Sequence, residues 1–485
     1  MERSAKRVQV AVLAATVLAA GLWIWMASTR NRVNPDSELD LVQSTRPSLR
    51  VTDGLRLDVR AFYDGRDQAP AWISEIGVLP IAATALDTLD AAATHGLNPS
   101  DYDALDLRLT HQQLSRTDAN GVTVLASADA LMHFEVRLTS ALLSLGHDVS
   151  VGRVPPASID PSWQSLRTPP DLPRTLATAI NGRVDQWLPA IQPRHAEYAA
   201  LLAVLADEQR LAATGVDDAA MIVAANMERW RWMPDDLGAR HLFVNIPSYT
   251  LVARESGKTT LSMKVVVGKA RTNQTPVLSS EISSIVFSPT WGIPASIVAN
   301  ETVPAILRDP SYLRRQNIDV TAVTKDGVVA VDASTIVTSN AAQLRRLFYR
   351  QRPGPGNALG RVKFPFPNAH DVYLHDTPSD GSFAQTVRAL SHGCVRLEQP
   401  AVLAEYVLRE LSGWTPSRIT RAMNQRSEQY VKLAAPLPVH LAYFTASVDA
   451  GGALRLLPDI YGYDLRNALR QFQDDLELVL GDGLH

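Results

Sequence analysis

Ser391-His392-Gly393-Cys394-Val395-Arg396, taken with Leu374-His375-Asp376-Thr377 a short way upstream, decides how the chain is to be understood. Cys394 is the only cysteine in 485 residues. A thiol becomes a nucleophile when a nearby base or positive charge favours its thiolate. His375 and His392 lie close to it in sequence, and Gly393 directly precedes it. A glycine there lets substrate approach the backbone and leaves N–H groups to face a developing oxyanion. The residues therefore give Cys394 as nucleophile, His375 as its base, and the Gly393 and Cys394 N–H groups as candidate oxyanion donors. His392 is close enough in sequence to bear on the thiol as well. Asp371-Val372-Tyr373-Leu374-His375 reads as a strand whose alternation puts Tyr373 and His375 on one face. His375, Asp376, His392 and Cys394 are all zinc-ligand types, but neither histidine belongs to a recognisable metal spacing. No metal or other cofactor is expected.

The N-terminus gives the compartment. Arg3, Lys6 and Arg7 precede the run from Val8 to Ala27, in which only Gln9 and Thr16 are conventionally polar. Such a helix spans about 30 Å at ~1.5 Å per residue, the thickness of a bilayer core. The basic flank stays cytoplasmic and the rest of the chain is exported. Residues 1–29 are read as an uncleaved anchor, with a signal peptide cleaved after Leu18-Ala19-Ala20 as the alternative. Exported proteins normally pair their cysteines. A lone thiol there, flanked by Ser-His-Gly, points to chemistry.

Apolar residues make up 46% and charged residues 20%, enough for a folded core, and the length predicts about three domains. The formal net charge of −3 has no basic excess behind it, which argues against nucleic-acid binding. Residues 30–54 read as a polar linker. Residues 55–226 read as a helical scaffold, with helices from Leu79 to Thr94 ended by Gly96, from Ser127 to Leu145 with a stop at Gly146, and from His195 to Ala213 with Gly215 as the stop signal. From His241 short β-type runs take over, and Lys325-Asp326-Gly327 marks a hairpin. The predicted fold is therefore multidomain α+β: an N-terminal anchor, a helical scaffold and a β-rich domain over 227–436. A lid-like insertion is expected around 295–356, with Arg352-Pro353-Gly354-Pro355-Gly356 as a flexible stretch. Residues 437–485 read as a strand-turn-helix extension.

His375, then fifteen residues, then Ser391-His392-Gly393-Cys394 resembles the signature of the L,D-transpeptidase (YkuD-type) catalytic domain. The likeness extends to Asn357–Phe364, to Arg388–Arg396 and to Asp459-Ile460-Tyr461-Gly462. Phe62-Tyr63, Pro70-Ala71-Trp72, His95–Tyr102 and Asn226–Pro234 are similar to the scaffold of the large periplasmic members from Gram-negative bacteria. The resemblance implies a periplasmic enzyme, anchored to the inner membrane, that acts on peptidoglycan tetrapeptide stems as donor and acceptor and is open to carbapenem acylation. Other cell-wall synthases are its implied neighbours. It implies that Cys394 attacks the carbonyl of the third residue, that D-alanine leaves, and that a 3→3 cross-link forms. The Asp376 carbonyl would orient His375, while Ser391 and His392 would shape the site. Arg396 would anchor a substrate carboxylate or join a structural ion pair. Trp291 would line the cleft or sit in the core. Large members usually carry a small peptidoglycan-binding module, and Leu205 to Asn226 is too short to hold one. A cysteine hydrolase and an inactive wall-associated scaffold protein are the competing readings.

Overall fold

The computed structural model describes residues 32–45, 51–116, 126–325 and 327–471. The run Val8–Ala27, read as an anchor, lies outside them. Among the described residues no helix is long and apolar enough to cross a membrane.

The scaffold is built around the helix Ala128–Val151, which starts where Ser127 Oγ accepts the Ala130 N–H. This helix is buried on almost every side by the helices Asp53–Asp64, Ile81–Asp90, Ala104–Leu114 and Leu172–Ala179. A two-residue ribbon, β1 (Ile73–Ser74) with β2 (Gly77–Val78), lies beside it. Within the core, Glu135 accepts the Ala71 and Trp72 N–H groups at 2.6 and 2.7 Å and the Tyr63 hydroxyl at 3.0 Å. Burial still pushes its carboxyl up to about 7.

Three expectations fail here, two for packing reasons and one because of a cap. The linker over 30–54 is instead a helix from Pro35 to Thr45, because Val33, Leu39 and Val42 bury an apolar stripe in the scaffold core. Gly146 does not stop its helix. A Cβ there would come within 2.4 Å of the Trp187 ring, so the glycine is required by close packing. The single helix expected from His195 is also two helices, Ala196–Leu205 and Glu208–Ala212, because Asp207 caps a new start.

The helix Ala219–Trp232 carries the chain into the second domain with Asn226, Glu228, Arg229 and Arg231 buried. Each charge is paired, as burial demands. Arg231 meets Glu228 at 2.5 Å and also donates to the His95 carbonyl, while Arg229 meets Asp464 at 2.6 Å.

The β-rich domain contains β3 (Arg240–Asn245), β4 (Thr250–Glu255), β5 (Lys258–Gly268) and β6 (Leu278–Phe287). An insertion follows, with β7 (Trp291–Gly292), β8 (Ile318–Thr324), β9 (Gly327–Ala330) and β10 (Phe348–Gln351). The main sheet resumes with β11 (Val362–Phe364), β12 (Leu374–His375), β13 (Ala389–Ser391), β14 (Val395–Leu397) and β15 (Gln429–Ala442). A small hairpin, β16 (Ala446–Val448) with β17 (Leu454–Leu456), and the helix Tyr463–Gln471 complete the description.

The sheet order is β13-β5-β14-β12-β11-β6-β15-β3-β4, and β4 also pairs with β5, so the sheet closes on itself. Its inward residues form one core that includes Val265, Ile285, Leu374, Val395 and Leu441. Residues 437–442 are therefore no extension. They belong to β15, which sits between β6 and β3. The insertion has the strand order β7-β10-β8-β9 and its own core, with Val303, Ile306, Leu344 and Tyr349. The segment 352–356 is pinned rather than loose: Arg352 N–H donates to the Asn317 carbonyl, and Gln351 Nε2 donates to the Gly356 carbonyl.

Candidate active site

Two short parallel strands make the site. Leu374 pairs with Val395 and His375 with Arg396, and the Val395 N–H donates to the Tyr373 carbonyl at 3.1 Å. Leu374 and Val395 are fully buried in the core. Strand alternation then puts Tyr373, His375, Cys394 and Arg396 together on the opposite face. All four line a cleft of about 510 Å³, whose far side is supplied by the insertion through Trp291 and Glu301.

His375 is buried, and its Nδ1 donates to the Asp376 carbonyl at 2.5 Å. That bond fixes the tautomer and leaves Nε2 as the acceptor. Burial pushes the imidazole down to about 3, with the Arg396 charge adding to the effect, so the ring is neutral at physiological pH. The Asp376 side chain is locked from behind: its carboxylate accepts the Arg361 and Thr377 N–H groups, both at 2.7 Å. Gly360, at φ +61°, lies against it so closely that a Cβ would stand 2.4 Å from the carboxyl carbon.

Cys394 is half-buried. Burial pushes its thiol up, and hydrogen bonding to Tyr373 together with the Arg396 charge partly offsets this. Its Sγ also lies 3.8 Å from the Asp371 carbonyl. Tyr373 meets the His375 ring edge-on, with centroids 5.7 Å apart. Burial thus favours the neutral form of both the thiol and the imidazole. The Arg396 guanidinium lines the same cleft, and its Nε is buried with no hydrogen-bond partner among the described residues.

The turn before Cys394 is self-braced. Ser391 Oγ accepts the Gly393 N–H at 3.1 Å and donates to the Cys394 carbonyl at 2.6 Å. Gly393, at φ +113°, makes the turn possible. The expectation that Gly393 N–H serves as an oxyanion donor is corrected: Ser391 takes it, which leaves the Cys394 N–H as the candidate. His392 points to the insertion instead of the thiol, with Nε2 2.7 Å from Glu301 Oε1.

Trp291 is half-buried and lines the cleft where the insertion begins. Sequence reading missed Glu301, Gly360 and Thr275. Thr275 is fully buried and donates from Oγ1 to the Gly393 carbonyl at 2.7 Å. Nothing in its local pattern distinguishes it. Among the described residues no group of three His, Cys, Asp or Glu side chains is placed to hold a metal ion.

Residues 239–419 match the YkuD family, the L,D-transpeptidase catalytic domain, and residues 57–205 match the Scaffold domain family. A Haemophilus influenzae protein named "Putative L,D-transpeptidase" is 32% identical over 309 residues, which cover 61% of this chain and 61% of that protein. An L,D-transpeptidase structure from Mycobacterium smegmatis is 14% identical over 41% of this chain and 58% of its own, with a TM-score of 0.20. An E. faecium catalytic domain acylated by ertapenem is 14% identical over 42% of this chain and 96% of its own, with a TM-score of 0.18. The assignment rests on the sequence matches rather than on these distant folds. The chain thus carries an L,D-transpeptidase catalytic domain of the YkuD family at residues 239–419, preceded by a Scaffold domain at residues 57–205.

Proposed function

We propose that this protein forms 3→3 cross-links in peptidoglycan through a thioester on Cys394. The observation that carries the reading is the shared face of Tyr373, His375, Cys394 and Arg396, with His375 held in the tautomer that can accept a thiol proton. His375 Nε2 takes the Cys394 proton as sulfur attacks the carbonyl carbon of the third stem residue. The carbonyl π pair moves onto oxygen, facing the Cys394 N–H. When the pair returns, the C–N bond breaks and D-alanine departs with the proton from His375. The side-chain amine of a diamino acid on a second stem then attacks the thioester. A C–N bond forms, the C–S bond breaks, and the thiol regains a proton through His375.

Arg396 supplies a fixed positive charge in the cleft for a donor-stem carboxylate, and Trp291 gives an apolar wall. The working place is the periplasm, with Val8–Ala27 holding the protein at the inner membrane close to other wall synthases. Incubation with purified disaccharide-tetrapeptides, read by mass, tests the proposal. Dimers lacking one D-alanine are expected, and Cys394→Ala should make none. Tripeptide monomers alone would indicate a hydrolase, and unchanged substrate would indicate an inactive wall-associated scaffold.

A further inference from the structure

The backbone segment 273–275 runs beneath the nucleophile turn. It approaches β5 so closely that a Cβ on Gly268 would stand 1.9 Å from the Asn273 carbonyl oxygen. Thr275 is the hinge of this contact. Its Oγ1 accepts the Gly268 N–H at 2.8 Å and donates to the Gly393 carbonyl at 2.7 Å. The Tyr461 hydroxyl accepts the Thr275 N–H at 3.1 Å and donates to the Gly268 carbonyl at 2.8 Å. Next along, Gln274 Oε1 lies 3.0 Å from the Tyr463 hydroxyl, which donates to Asp160 of the scaffold domain at 2.7 Å.

The Gly393–Cys394 peptide is planar and trans, as are the other described peptides. In a trans peptide the C=O of one residue and the N–H of the next point in opposite directions. A Gly393 carbonyl drawn down onto Thr275 therefore turns the Cys394 N–H up, away from the core and toward the cleft. The other nearby N–H, that of Gly393, is taken by Ser391. We infer that Thr275 is a positioning residue that sets the oxyanion donor of the site by fixing the Gly393 carbonyl, with Tyr461 holding Thr275 in place.

This inference rests on the reading of Cys394 as an acyl acceptor. The test separates the two by using a simple activated ester, p-nitrophenyl acetate, and iodoacetamide on the full chain. The ester passes through an oxyanion as the S–C bond forms and p-nitrophenolate leaves. Iodoacetamide reacts by direct displacement of iodide and forms none. Thr275→Val should slow Cys394 acetylation by roughly 10- to 100-fold while leaving alkylation within about twofold. Thr275→Ser, which keeps the hydroxyl, should recover most of that loss. Tyr461→Phe should give the same pattern in milder form, and it serves where Thr275→Val melts too low to assay. Equal slowing of both reagents, or no slowing of acetylation in either variant, overturns the inference. Normal ester ratios together with no cross-linked product from tetrapeptides would refute the proposed function and leave the role of Thr275 standing.

Discussion

His392 Nε2 and Glu301 Oε1 lie 2.7 Å apart, a direct tie between the turn that carries Cys394 and the insertion across the cleft. Both side chains are partly exposed, at 32% and 53%. Such a pair is worth about 0.2–1 kcal/mol, and salt weakens it when the imidazole is protonated. Glu301→Ala should therefore shift the melting temperature little. It should speed labelling of Cys394 by a bulky maleimide, and high salt should do the same to the wild type. Labelling that ignores both changes would mean that the tie does not limit entry.

His375 is expected to act as a base that stays neutral through the physiological range, because burial holds it at about 3. Alkylation of Cys394 should show no inflection between pH 5 and 8 and should rise only above the ordinary thiol range, since burial pushes the thiol up. His375→Ala should lose acylation by ~10²–10⁴-fold at neutral pH, with partial recovery as alkali ionises the thiol. If that recovery belongs to His392→Ala instead, the two histidines have exchanged roles.

Gly360→Ala strikes the base from behind. The residue sits at φ +61°, and its new Cβ would meet the Asp376 carboxylate at 2.4–2.5 Å. Displacing that carboxylate also disturbs the Asp376 carbonyl on which His375 depends. We expect a stability loss of ~1–3 kcal/mol and a lower acylation rate in the protein that remains folded. Thermal melting and acylation kinetics on the same preparation check both parts.

Stability should fall as the solution is acidified below about pH 6.5. Burial pushes His95 and His375 to about 3 and His440 to about 4, so the native state keeps them neutral where the unfolded chain protonates them. Glu135 opposes this, because its native value of about 7 makes the folded state hold a proton that the unfolded chain releases. Among these four groups the balance near pH 5.5 is an uptake of about two protons on unfolding, which makes their contribution to stability climb with pH there. Denaturant midpoints between pH 4.5 and 7 give the slope, and His440→Gln should reduce it by about one proton. A slope of the opposite sign would show that Glu135 and other carboxylates dominate.

The candidate site residues Tyr373, His375, Cys394 and Arg396 stand out in the sequence because their pattern is local. The alternation of Tyr373 with His375 was readable, and the same two-residue step joins Cys394 to Arg396. The pairing that puts the two segments side by side was not, since β12 has only two residues. Thr275 escaped for a related reason: its partners Gly393 and Tyr461 are 118 and 186 positions away. Periodicity reports which face of an element is buried and is silent about which distant element covers it. The helix Pro35–Thr45 was hidden by its many polar residues, because Leu39 and Val42 alone mark its buried stripe. Gly146 looked like a terminator because sequence does not show the ring of Trp187 pressed against it.

The place of β15 in the sheet bears on how the folded domain comes into being. The ring of strands is closed by a segment, Gln429–Ala442, that leaves the ribosome after nearly nine-tenths of the chain. Until it arrives, β6 and β3 present two unpaired edges, the form of sheet most prone to joining a neighbouring chain. Tyr461, which braces the turn before Cys394, comes later still. A chain truncated before residue 429 would carry Tyr373, His375, Cys394 and Arg396 and yet have no closed sheet to arrange them. Its thiol would stay an ordinary one until the last strand is in place.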